Sequence, residues 1–378
     1  TNAILTDAYL SNTDLTNTIL IGADLSKTDI DNVDLSGKDL TGARLARADL
    51  TNTNLDNVAL SHIDFTGARL HGVNLYGSDL SNANLSYADL TGADLSNTDL
   101  TDAKVFGINL TRANLSDQDL SNMDFSYSTF IDVDISGADL TNTKFDNANF
   151  KDTNLQNANL TETSLVGIDL TKIENKSLAG ADLSGTSFAH SNLSSVNLDG
   201  VTIHLTNFWK ADLSGVDFTV TDDIGSGIRF VEANLSNSNF EGLDLSPKEK
   251  YRKVFENKAY LLRGVTQSIE AEAGTVVIDR LGITVELFGE GAASWLKIDS
   301  VGVSGNNLTV DYYLFNNFAL TNLENANFKN AELNFVIFSS ANLANADLSG
   351  ANLSNALLDK AHLGGANLSG ANLSGADL

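Results

Sequence analysis

Apolar residues recur along this chain with a period of five. From Leu5 to Leu170 every fifth residue is Leu, Ile, Val or Phe, and the rhythm returns from Leu178 to Phe218, from Phe230 to Leu245 and from Phe318 to Leu378. Five residues of α-helix rotate a side chain by about 500°, which scatters such residues instead of lining them up. A straight strand alternates with period two, so an odd spacing throws successive leucines onto opposite faces. Both regular elements fail, and the backbone must turn once per repeat. In a stretch such as Ala346-Asp347-Leu348-Ser349-Gly350, Ala and Leu stand two apart and point inward from a short extended side. The Asp between them points outward, and Ser-Gly makes the corner.

The pattern amounts to about 60 repeats, and self-similarity on that scale means a solenoid. The repeats occupy residues 1–245 and 318–378, and the register slips at two loop breaks, 171–177 and 219–229. Between them, residues 246–317 form an insert of different composition. Ser246 and Glu249 read as a capping box around Pro247, the only proline of the chain, at the first helical position. Tyr251, Val254, Phe255, Leu261 and Leu262 follow at helical spacing, so an amphipathic helix is predicted over 247–263. It is basic, with six Lys or Arg against two Glu between 246 and 264. The rest of the insert reads as strands, with hairpins expected about Leu281-Gly282 and Gly305-Asn306.

The repeat resembles the pentapeptide-repeat proteins, whose consensus is close to A-(D/N)-L-x-x, over roughly four fifths of the chain. The resemblance implies an all-β solenoid, a right-handed quadrilateral parallel β-helix in which four repeats close one coil. Sixty repeats then make about 15 coils, interrupted by the helix and small β-rich insert, and one unbroken stack would be on the order of 70 Å long.

Composition narrows the function. The formal net charge is −26, so nucleic acid is excluded as a direct ligand of the solenoid surface. Cysteine is absent, which excludes a disulfide framework and thiol chemistry but does not separate a reducing cytoplasm, the compartment favoured here, from export or the cell surface. No leader and no apolar run approaching a membrane span is expected. The five histidines, at 62, 71, 190, 204 and 362, have no metal-ligand spacing, and no nucleotide or nucleophile motif is present. No cofactor, metal or catalytic residue is therefore expected, and the chain reads as a protein that is not an enzyme.

Twenty-residue coils would set residues n and n + 20 above one another, so the outward positions form vertical columns. One column holds Asp79, Asp99, Asp119 and Asp139; another, from Asp24 and Arg44 to Asp124 and Lys144, alternates in sign. The acidic column is either a solvated face or a mimic of the DNA backbone. The quinolone-resistance members of the resembled family act on DNA gyrase in that way, and this sequence resembles them in repeat, acidity and loop interruptions. Asp222 and Asp223, in the second loop break, are further candidate partner-binding residues. Lys38 and Gln118 occupy inward sites that normally hold Ala, Thr, Ser or Val, either snorkelling past a corner or lining a polar pocket.

Two functions are compatible with this reading. The first is a structural or protein-interaction rod that displays the insert and assembles end to end with copies of itself. Leu5 and Leu378 are the candidate assembly residues at its ends, with Lys250, Arg252 and Lys253 of the basic helix as a lateral brace. The second is an acidic inhibitor or protector of gyrase or topoisomerase.

Overall fold

The computed structural model describes residues 2–248, 250–255, 269–272, 275–278, 283–286, 296–304 and 307–378. They fall into two compact units, one of Thr1–Thr202 with Ala211–Asp222 and one of Ile203–Lys210 with Asp223–Leu378.

In both units the five-residue rhythm becomes turns joined by short extended sides. The N–H of Ala23 donates to the carbonyl of Leu20 at 2.9 Å, closing a four-residue corner, and the same bond recurs from repeat to repeat. The second corner residue sits in the left-handed region, as at Asn97 (φ 55°) and Asn142 (φ 56°). That conformation selects Asn, Asp and Gly over bulkier residues, which accounts for the composition of the corners. Each side then pairs in parallel with the residue twenty further on, Asp24 with Arg44 and Arg44 with Asp64, so a coil is twenty residues. The ladder alternates direction: Asp24 N–H donates down to Ala3 at 2.8 Å and Leu25 N–H donates up to Arg44 at 2.8 Å. A residue at the centre of a side thus satisfies both neighbouring coils, which is how a five-residue unit meets the backbone's hydrogen-bonding demand.

The core is the column of fifth residues with the small residues two before them. Leu45, Leu80 and Leu160 are completely buried. Where Phe replaces Leu, rings twenty residues apart stack: Phe125 on Phe145 at 5.5 Å and Phe130 on Phe150 at 5.2 Å. Inward Thr is accommodated because its hydroxyl donates to the carbonyl of a leucine in the coil below, as from Thr143 to Leu120 at 2.9 Å and Thr163 to Leu140 at 2.8 Å. Among the described residues no buried side-chain nitrogen or oxygen lacks a hydrogen-bond partner.

The repeats on either side of the insert are successive coils of one unit. Asn234 pairs with Asn322 and Asn239 with Asn327, 88 residues apart instead of twenty. Phe230 stacks on Phe318 at 4.6 Å and Phe240 on Phe328 at 4.8 Å, so the wall resumes in register after the excursion.

The strands of the described residues are β1 (Thr202–Ile203), β2 (Asp223–Ile224), β3 (Lys250–Phe255), β4 (Ile269–Glu272), β5 (Thr275–Ile278), β6 (Ile283–Glu286), β7 (Leu296–Ser304) and β8 (Asn307–Leu314). The insert contains two antiparallel sheets, ordered β3-β8-β7 and β4-β5-β6. Both expected hairpin pairings are present, Ile278 opposite Ile283 and Ser304 opposite Asn307, with the turn residues themselves outside the described set. The basic helix expected over 247–263 is corrected in part. Residues 250–255 form a strand, with Lys250 opposite Tyr313, Arg252 opposite Asp311 and Lys253 opposite Val310; Glu249 and residues 256–263 lie outside the described residues. Over six residues helical spacing and strand alternation are hard to separate, and Tyr251, Val254 and Phe255 favour strands. The open edge of β8 decides in favour of pairing.

Candidate functional site

What the wall presents outward is a lattice of Asp and Asn, and each is held by the corner that follows it. One carboxylate oxygen accepts the backbone N–H two residues on: Asp79 from Ser81 at 2.9 Å, Asp99 from Thr101 at 2.9 Å, Asp119 from Ser121 at 3.0 Å and Asp139 from Thr141 at 3.0 Å. This side-chain turn is open to Asp and Asn alike and to few other residues, which explains the D/N alternation of the repeat. The N–H of Thr101, with its hydroxyl, holds the Asp99 carboxyl below the ordinary value of 3.8 against a small opposing effect of burial. The hydroxyls and N–H groups of Ser26, Ser36, Thr41 and Ser349 do the same for Asp24, Asp34, Asp39 and Asp347. Asp79, Asp99, Asp119 and Asp139 thus each have one carboxylate oxygen engaged by the corner that follows.

The acidic column is two pairs. Asp79 bridges to Asp99 and Asp119 to Asp139, but among the described residues no bridge joins Asp99 to Asp119. Above Asp139 the column turns neutral, where the Asn159 amide donates to the Asp139 carboxylate at 3.1 Å. In the column of alternating sign the backbone of Asp24 bridges to Arg44 and that of Arg44 to Asp64, and in a neighbouring column the Arg69 side chain lies 3.2 Å from the Asp49 carboxylate. With the Arg69 side chain 73% exposed, such a pair stabilises by at most about 1 kcal/mol. The Lys38 ammonium donates to the carbonyl of Thr16 at a corner, and the Gln118 amide donates to the carbonyl of Leu95 at 3.4 Å.

The second loop break is a structural element. Ile224, Gly225, Ser226, Gly227 and Ile228 are all buried, and the Gly225 N–H donates to the carbonyl of Ile203 in β1 at 2.7 Å. Asp223 accepts from His204 Nε2 at 2.8 Å and lies 3.9 Å from the Lys248 ammonium. A side chain at Gly225 would place its Cβ 2.2 Å from His204 Nδ1, so the tight packing of that pair requires glycine. Asp222 is exposed. The first break likewise buries Ile173, which takes an inward site, while two short 3₁₀ turns absorb the extra residues. Leu5 is half-buried and Leu378 is 73% exposed, and Lys250, Arg252 and Lys253 lie on β3 and not on a helix.

Eight copies of the family model for pentapeptide repeats match the chain, at residues 1–37, 29–67, 63–102, 108–147, 134–171, 181–219, 317–355 and 346–378. The chain belongs to the pentapeptide-repeat family. Membership brings with it the right-handed β-helix solenoid as fold class. No curated protein matches the sequence. Among solved structures, a trypsin-treated form of QnrB1, a plasmid-mediated fluoroquinolone resistance protein, is similar at 19% identity and a TM-score of 0.39. That likeness covers 49% of this chain and 91% of QnrB1. HetL from Nostoc sp. strain PCC 7120, a pentapeptide repeat protein involved in heterocyst differentiation regulation, is similar at 20% identity and a TM-score of 0.22, covering 96% and 89%. A pentapeptide repeat protein of the Arabidopsis thaliana thylakoid lumen shares 31% identity over 34% of this chain and 66% of its own, at a TM-score of 0.11.

Two features of this pentapeptide wall escape a reading of its outward columns. His204, one of five scattered histidines, finds its carboxylate through a loop of irregular length, and no spacing announces that contact. The other is a surface stack of Tyr87, Phe106 and Tyr127, with ring centroids 5.6 and 5.5 Å apart. Its signal was present in the corner positions, since Tyr87 and Tyr127 are two coils apart and Phe106 belongs to the coil between. Among the described residues no helix is long and apolar enough to cross a membrane, and no group of His, Cys, Asp and Glu could hold a metal ion.

Proposed function

We propose that this protein is a non-enzymatic interaction scaffold of the pentapeptide-repeat type, which meets partners through its outer wall and copies of itself through its terminal coils. The observation that carries the reading is the outward lattice. Asp79, Asp99, Asp119 and Asp139 are each locked by a corner N–H, so side chains are displayed at fixed spacing from a rigid wall. Sedimentation velocity over a concentration series tests the self-association. The wild-type chain is expected to grow in size with concentration, and Leu378→Asp to remain the smallest species. A wild-type chain that stays monomeric throughout overturns the end-to-end contact.

A second reading, an acidic mimic of the DNA backbone that acts on gyrase, draws on the like-charged pairs Asp79/Asp99 and Asp119/Asp139. Its test is a supercoiling assay with wild-type chain and with all four replaced by Asn, which keeps the acceptor for the corner N–H. Gyrase unaffected by the wild-type chain ends that reading.

A further inference from the structure

The ladder between coils is interrupted where Asp99 and Asp119 fail to pair. Among the described residues no bridge joins Lys104 to Asp124 either, although both ends of the gap are closed by ordinary bonds, Gly92 to Thr111 at 2.8 Å and Gly107 to Ser126 at 3.0 Å. The gap has a counterpart in the sequence. Gln118 and Met123, the only methionine of the chain, occupy two successive inward sites beside the gap that the repeat mostly fills with small residues, a departure that coincides with it. Consistently, Leu100 (5% exposed), Ala103 (7%) and Met123 (6%) are less covered than core residues such as Leu80 and Leu120 (0%).

Backbone groups are unpartnered at both steps among the described residues: at Lys104/Asp124 the Val105 N–H and Ala103 C=O on the lower coil and the Asp124 N–H and C=O on the upper, and at Asp99/Asp119 the Leu100 N–H, the Thr98 C=O and the Asp119 N–H and C=O. Val105 is 2% exposed, whereas Asp124 across the gap is exposed. A cleft of about 370 Å³ opens at this place, with Val105, Phe106 and Met123 among its apolar lining and Asp102, Lys104 and Asp124 at its rim. Phe106 is the middle ring of the surface aromatic stack. Tyr87 (63% exposed) and Tyr127 (62%) hold their rings there from left-handed corners, φ 61° and 62°, a conformation that is unfavourable for an aromatic residue. Gly107 makes room, because a Cβ there would lie 2.8 Å from the Tyr87 ring.

We propose that this opening binds an extended, basic segment of a partner protein. The inference rests on the scaffold reading and names where one partner docks and what its chemistry is. The unpaired donors and acceptors along the cleft are groups that an extended segment laid in it can pair with along one edge. Charge selects the segment. Between residues 81 and 130 seven Asp stand against one Lys and one Arg, and Asp99, Asp102, Asp119 and Asp124 flank the gap against Lys104 alone. An Arg or Lys of the entering strand lies between Asp99 and Asp119, relieving their repulsion, and another reaches the ring faces of the aromatic stack.

The test uses the full-length chain and a fluorescent peptide of about ten residues alternating Arg with Val, compared with Glu-for-Arg and Pro-for-Val versions. Only the Arg-Val peptide is expected to bind tightly, with affinity falling at least about tenfold on Phe106→Ala and on the double change Asp102→Asn, Asp124→Asn. Asp94→Asn with Asp134→Asn, on the column across the coil, removes the same charge and is expected to leave binding unchanged. Gln118→Ala with Met123→Ala is expected to close the gap, abolish binding and slow hydrogen exchange of the Leu100 and Val105 amides. Equal binding by the Pro peptide, or equal losses from the near and far pairs of Asn substitutions, overturns the proposal in favour of general attraction to an acidic surface. Exchange of those two amides as slow in the wild-type chain as at Leu80 shows that no gap exists and overturns it outright. None of these outcomes bears on self-association, which sedimentation reads separately.

Discussion

Phe130 offers the sharpest test of how the wall is held together. Its ring is completely buried, stacked on Phe150 at 5.2 Å and set edge-on against Phe125 at 5.2 Å and Phe145 at 5.3 Å. Replacing a buried Phe by Ala costs about 3 to 5 kcal/mol, the spread reflecting how far the site collapses around the cavity. Collapse is restricted here. The Phe130 N–H is tied to Asn149 at 2.8 Å and the Thr129 N–H to Ile108 at 2.9 Å, so coils above and below are held at ladder spacing. Three aromatic contacts, each contributing roughly 0.5 to 1.5 kcal/mol beyond its area, are lost as well. Phe130→Ala is therefore expected at the upper end, about 5 kcal/mol. Phe130→Leu, which installs the commoner residue of the repeat, is expected to cost only about 1 to 2 kcal/mol, because it keeps most of the volume and loses mainly the ring contacts. Urea denaturation followed by circular dichroism, with hydrogen exchange at Thr129 and Phe130, gives both values. A Phe130→Ala cost below about 2 kcal/mol, or one equal to that of Leu, would mean that the coils relax around the cavity and that the ladder is not the rigid element assumed here.

The remaining expectations concern the corners and the second loop break. Carboxyls held below their ordinary value by corner donors, Asp24, Asp34, Asp39, Asp99 and Asp347 among them, stabilise the fold fully above pH 3.8 and lose that contribution as pH falls through their lowered folded values. The melting temperature is thus expected to fall on acidification below about pH 4, and a melting temperature unchanged down to pH 2 contradicts the corner assignment. Gly225→Ala is expected to drive the His204 ring off Asp223 and lower the melting temperature, since the new Cβ would sit 2.2 Å from Nδ1. Gly242→Ala, at φ 70° with nothing within 4 Å of the added Cβ, measures the backbone cost of a left-handed corner, whereas Gly225 is not left-handed and its substitution measures the His204 contact; a melting temperature unchanged in Gly225→Ala would show that this contact contributes nothing.

Much of this molecule was legible in its sequence because the fold is local and repeated. A five-residue apolar period excludes helix and straight strand, demands a corner per repeat, and sorts inward Leu from outward Asp. The family resemblance added the number of sides, and the bridges from Asp24 to Arg44 and onward agree with coils of twenty. The insert was harder. Its hairpins were visible as alternation about Gly-containing turns, but Lys250–Phe255 looked helical by spacing and by the capping residues before it, and became a strand through pairing with a segment nearly sixty residues away.

The candidate site divides along the same line. The identities of Asp79, Asp99, Asp119 and Asp139 follow from the period, and their vertical order from the period together with the four sides that the family resemblance implied. That Asp99 and Asp119 stand unbridged, that Phe106 joins the rings of Tyr87 and Tyr127 beside a cleft, and that Asp223 is engaged by His204 are decided by tertiary structure. The physical reason is the range of the forces involved. Side-chain direction and corner geometry follow from the nearest few residues, so a repeated sequence determines them repeatedly. Whether two coils pair depends on what both push into a shared core, and the missing bridges lie between the coil of Gln118 and Met123 and backbone some twenty residues before them, in the coil below.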